Sequence, residues 1–71
     1  MKLSEAIANN TYTIASLDFE NSNDAMHFSS LGFVPGAKIM LVQNSPYKIC
    51  SVGNGRIAIS DSIANMITIL P

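Results

Sequence analysis

One cysteine, Cys50, leaves nothing for an internal disulfide and suits a reducing compartment. Arginine also occurs once, at Arg56, and the four cations are outnumbered by five carboxylates. Backbone recognition of nucleic acid depends on many Lys and Arg contacts, so this balance argues against that class of partner. No apolar run reaches the roughly 18 residues that a bilayer crossing requires, and a chain that does not span the membrane is expected. The opening Met1-Lys2-Leu3-Ser4-Glu5 has no apolar segment ahead of a small-residue cleavage site, which predicts a cytoplasmic protein without a signal peptide. Catalytic material is equally scarce. A single histidine, a single cysteine and five carboxylates, mostly in turns, do not supply the convergent acid, base and nucleophile of an enzyme. A non-catalytic protein is expected.

What is present is apolar. Hydrophobic residues make up 48% of the chain and charged residues 13%, too apolar and too weakly charged for a disordered tail. Seventy-one residues form one domain, residues 1–71, near the size at which a core alone is marginally stabilising. Such a small apolar chain can leave a patch that self-associates weakly.

The stretch Leu31-Gly32-Phe33-Val34-Pro35-Gly36-Ala37-Lys38 organises the rest. Gly32 can take the left-handed conformation that closes a helix, which places Phe33 where it packs back on Phe28. Val34-Pro35-Gly36-Ala37 reads as a type II turn, with proline setting φ at the second position and glycine supplying positive φ at the third. Before it, the spacing predicts a helix over about residues 23–31, capped by Asn21 or Ser22, with Ala25, Phe28 and Ser29 on one face. After it, Lys38-Ile39-Met40-Leu41-Val42-Gln43 is apolar on both faces, as a central strand covered twice, or bending within a barrel, would be.

The remaining elements follow from simpler signals. Leu3, Ala6 and Ile7 recur at helical spacing with Ser4 as a possible cap, and Asn9-Asn10 marks a turn. Thr11 to Phe19 is β-branched and aromatic and reads as the first long strand. Asn44 to Tyr47 is a turn, and Lys48-Ile49-Cys50-Ser51-Val52 and Arg56-Ile57-Ala58-Ile59-Ser60 are strands joined by the hairpin signal Gly53-Asn54-Gly55. Asp61 caps about one helical turn, and Met66 to Leu70 closes the chain as a strand. About five short strands with tight turns and one inserted helix predict a mainly β fold, a small and strongly bent barrel.

Cys50 sits in a strand and reads as a small buried hydrophobe. The methionines Met26, Met40 and Met66 read as core fillers rather than thioether ligands. Gly53-Asn54-Gly55 lacks the downstream Lys-Ser/Thr and helix of a phosphate loop. Ferrous iron accepts imidazole and carboxylate, so a site from His27, Cys50, Asp18, Glu20 and Asp24 is conceivable. No two of these residues have a recognised ligand spacing, and neither a metal nor a cofactor is assigned.

The succession of Leu-Ser-Glu-Ala-Ile at the start, Leu31-Gly32-Phe33-Val34-Pro35-Gly36, a Val-Gly-x-Gly hairpin, an Ile57-Ala58-Ile59 strand and a closing Ile63 to Ile69 segment resembles the FeoA family. That resemblance implies an SH3-like barrel and an accessory or regulatory subunit of bacterial ferrous-iron uptake, acting on the cytosolic, GTPase-containing region of the FeoB-type membrane transporter. The same module ends some metal-dependent repressors, which implies a metal-responsive interaction domain as the alternative. Separately, ferrous iron bound at His27 with nearby carboxylates would make the module a metal sensor whose affinity for its partner changes. Where the family often carries arginine, this chain has His27 and Ser60, and the loop Ser45-Pro46-Tyr47-Lys48 is shorter. Partner contacts are expected from Phe33, Val34, Tyr47, Lys48 and Arg56, apolar, aromatic or cationic groups near turns. For Phe33 and Val34 the competing reading is packing, and it weighs more at Phe33.

Overall fold

The computed structural model describes residues 1–53 and 55–70. A 3₁₀ turn, Leu3–Glu5, leads into strand β1, Thr11–Leu17, and helix α1, Ser22–Ser30. Strands β2, Lys38–Gln43, β3, Lys48–Val52, and β4, Gly55–Ile59, then run to helix α2, Asp61–Ala64, and strand β5, Ile67–Leu70. All pairings are antiparallel, in the order β4-β3-β2-β1-β5. β1 serves two neighbours: Thr11, Tyr12 and Thr13 face β2, while Thr13 to Leu17 face β5 across a register shift at Ala15. A second shift at Val42 bends β2 against β3. Such bulges increase local twist and let a short sheet curl.

The curl gathers the inner face of every strand into one core. Tyr12 and Ile14, Ile39 and Leu41, Cys50 and Val52, Ile59, and Ile67 and Ile69 are all buried there. Leu3, Ala6, Phe28, Phe33 and Ala64 complete it. The two end strands β4 and β5 thus share a core without being paired, and α2 bridges them while the 3₁₀ turn packs on it. This is the predicted bent barrel, and β2 is its central strand.

The organising stretch folds as its residue types require. Asn21 caps α1 by accepting the Asn23 amide at 2.8 Å. At the other end Gly32 has φ of +102°, its amide donates to the Ser29 carbonyl at 3.0 Å, and the Phe33 amide donates to Phe28 at 2.9 Å. That double closure is the Schellman arrangement, and the Phe28 and Phe33 rings meet edge to face at 5.5 Å. The Ala37 amide then donates to Val34 at 3.0 Å with Gly36 at φ +89°, closing the Pro-Gly turn.

Several expectations are corrected. Met40 points outward and Met26 is 72% exposed, so neither fills the core and β2 is covered on one face only. β1 ends at Leu17 rather than Phe19, because its partner β5 begins at Ile67, opposite Leu17; one further bond, from the Asp18 amide to the Met66 carbonyl, closes the ladder. Ser60, one residue before Asp61, accepts the Ile63 amide as the cap of α2. The first helical segment shrinks to the 3₁₀ turn, burying Leu3 and Ala6 but leaving Ile7 66% exposed. Val52 pairs with Gly55 across the β3–β4 hairpin, and Gly53 between them holds φ of +57°. Asn54 of the predicted Asn-Gly signal lies outside the described residues.

Candidate functional site

α1 and the Pro-Gly turn are fixed to the barrel by aromatics. Of the helix residues only Phe28 is buried, and it stacks on Phe19 at 5.2 Å while its edge meets Phe33. Nothing in the spacing around Phe19 announces this contact, because its partner lies on another element and periodicity sees only one element at a time. A helix held by one ring leaves room beside it: one shallow groove runs along its flank and a second opens at its C-terminal end.

The first groove, about 350 Å³, has walls of Leu17, Phe19 and Phe33 with Ala25 and Ser29 of α1 on one side and Val34 and Pro35 on the other. The second, about 300 Å³, lies between the C-terminal end of α1 and the β3–β4 hairpin. Leu31, Val52 and Ile57 give it an apolar floor, and Gly53, Gly55 and Arg56 form its rim. Among the described residues Arg56 has no salt bridge, whereas Lys2 lies 3.8 Å from Asp18 and Lys48 lies 3.9 Å from Asp61.

The five expected contact residues do not form one patch. Phe33 is fully buried, so its side chain serves the helix cap and the core, though it backs the first groove. Lys48 is 7% exposed, its ammonium donating to the Asn44 side chain, so the expectation of a surface cation there is wrong. The alternation of β3 carried the warning: Lys48, Cys50 and Val52 are spaced by two and share the inner face. Val34 stands exposed beside the first groove and Arg56 beside the second. Tyr47 is 67% exposed but precedes β3, while Arg56 follows its far end, about 15 Å away along a strand of this length.

Groups able to bind metal are dispersed. No three His, Cys, Asp or Glu side chains stand close enough to hold an ion among the described residues. His27 is exposed on α1 with its ring 5.4 Å from Phe28, whereas Cys50 lies in the core, so the two do not meet. Burial pushes the Cys50 thiol up from 9.0 to about 11, with the Lys48 ammonium pulling weakly the other way. At neutral pH it is a protonated packing group, neither thiolate nucleophile nor ready ligand. No described helix is long and apolar enough to cross a membrane.

The family model described as the FeoA domain matches residues 1–71. A crystal structure of an iron uptake regulatory protein, FeoA, superimposes with a TM-score of 0.83 at 27% identity, covering 97% of this chain and 92% of that one. FeoA of Stenotrophomonas maltophilia, solved with zinc and described as a prokaryotic SH3 domain protein, gives 0.83 at 28% identity, covering 97% and 88%. A manganese-dependent transcriptional repressor shares the fold alone, with a TM-score of 0.81 at 13% identity over 94% of this chain and 39% of that one. The curated proteins searched contain no match.

Proposed function

The chain belongs to the FeoA domain family, and from that premise we propose that it is a non-catalytic accessory subunit of ferrous-iron uptake. Its partner in this reading is the cytosolic, GTPase-containing region of a FeoB-type membrane transporter, which places its work in the cytoplasm. The observation that carries the reading is the whole-length correspondence: all of residues 1–71 match the family, and the SH3-like barrel aligns over 97% of the chain with FeoA proteins. The S. maltophilia relative is itself described as a candidate ferrous iron transport activating factor. The surface agrees with a binding role. Two open grooves flank a helix held by one aromatic ring, and Val34 and Arg56 stand at their rims. Rigid barrels that present loops of this kind recognise partners through shape and a few anchoring side chains.

The test is a titration of the purified chain against the soluble cytosolic region of the transporter from the same organism, by calorimetry, with and without guanine nucleotide. Saturable binding is expected, weakened by Val34→Asp or Arg56→Glu and unchanged by an exposed substitution away from both grooves, such as Ile7→Ser. Absence of any binding heat with a folded chain and folded transporter region would overturn the reading.

A further inference from the structure

The two edges of the sheet are treated differently. The outer edge of β5 is covered by the first residues: the Ile69 amide donates to the Met1 carbonyl at 2.8 Å, and Lys2 bridges Thr68. The outer edge of β4 has no such cover, since among the described residues Gly55–Ile59 makes no backbone hydrogen bond beyond its ladder with β3. Unpaired strand edges are templates for another strand, and proteins usually blunt them with charged side chains, prolines or bulges. β4 has neither proline nor bulge, and its one charge is Arg56, which repels a cationic strand but not an acidic one. Its register with β3 runs without a shift from Val52 opposite Gly55 to Lys48 opposite Ile59, while β1 with β5 and β2 with β3 are both interrupted.

We propose that the β4 edge docks an extended, acidic segment of a partner protein, which adds to the sheet as a further strand. The alternation of β4 assigns the side chains of that segment. Ile57 and Ile59 face inward and Arg56 and Ala58 face outward, so an added strand presents alternate side chains to the two faces. Its inward positions meet Ile57 and the groove floored by Leu31 and Val52, which fits an aliphatic side chain. Its outward positions meet Arg56, which fits a carboxylate.

Charge selects this occupant over a second copy of the chain. None of the five strands contains an aspartate or glutamate, so no strand of a second copy can neutralise Arg56. Two β4 strands paired about Ile57 would also set their arginines on one face as diagonal neighbours, a like-charge contact that opposes association. The inference rests on reading the chain as an interaction module, and it specifies which edge that module uses.

The test uses a blocked peptide of alternating valine and aspartate as probe, with a valine–lysine peptide as control, followed by amide NMR of the full chain. The expected result is shifts and slowed hydrogen exchange confined to Gly55–Ile59 and the hairpin groove with the acidic peptide only. Arg56→Glu should weaken that peptide about three- to fivefold or more, as loss of a surface ion pair does, and should favour the lysine peptide instead. Shifts elsewhere, unchanged β4 exchange, equal binding of both peptides, or self-association through β4 without peptide would each overturn the inference. Repeating the NMR with the transporter's cytosolic region separates the two readings. Binding that leaves β4 amides unprotected defeats the edge while keeping the accessory subunit, and no binding defeats the accessory subunit while leaving the peptide result to decide the edge.

Discussion

At Lys48 and Cys50 the strand β3 places an ammonium and a thiol two residues apart on one inner face, with opposite consequences. The lysine finds polar partners, with the Asn44 side-chain oxygen accepting from its Nζ and the exposed Asp61 carboxylate 3.9 Å away. The thiol has no such outlet, and burial lifts it to about 11. The unfolded chain therefore loses the Cys50 proton near pH 9 while the folded chain holds it to about pH 11. Stability from this group is complete below pH 9 and declines as pH rises between those values, by about 2–3 kcal/mol for a shift of this size. Urea unfolding at pH 8, 9, 10 and 11 is expected to show that decline, and the difference between wild type and Cys50→Ala should shrink across the same window. A difference that stays flat with pH would place the thiol in contact with water. Cys50 as a buried group is legible from its strand, whereas a charge beside a turn points to the surface and only the two-residue period of β3 places Lys48 inside.

The connection from α1 to β2 was the most legible element, because each of its residues answers a local backbone demand that few others can meet. Gly32 and Gly36 both hold positive φ, at +102° and +89°, yet their surroundings differ. A Cβ on Gly32 would lie 3.2 Å from Cγ2 of Val52, while one on Gly36 meets nothing within 4 Å. Gly36→Ala should thus cost the backbone strain alone, about 1 kcal/mol, and Gly32→Ala that strain plus displacement of the β3 side chain, about 2 kcal/mol or more. Thermal unfolding of the two variants checks the order, and equal midpoints would show that Val52 yields without cost. Elements whose limits depend on distant partners were less legible. β1 stops at Leu17 because its partner β5 begins at Ile67, opposite it, and no signal within residues 11–19 records where β5 will lie.

For the molecule as a whole, closure depends on its smallest element. β4 and β5 are not paired; α2 connects them in the chain, and the 3₁₀ turn packs against both α2 and β5. Leu3 from that turn is fully buried, and Ala6 and Ala64 are buried with it. Helical spacing assigned Leu3, Ala6 and Ile7 to one face, but a single 3₁₀ turn followed by extended backbone at Ala6 turns Ile7 outward. Ranking by burial separates what spacing merged. Leu3→Ala removes a fully buried side chain and should cost about 3 kcal/mol, against a total stability of about 4–10 kcal/mol for a domain of 71 residues. Ile7→Ala removes an exposed one and should cost under about 0.5 kcal/mol. The expected fall in Tm for Leu3→Ala is on the order of 15 °C, with Ile7→Ala within a few degrees of wild type. Because one core serves both ends of the sheet, the loss should remain a single cooperative transition by circular dichroism and by fluorescence of the two tyrosines. A separate early transition at the β5 end would instead mean that the first residues form a flap which opens independently, and the barrel would then be held closed by α2 alone.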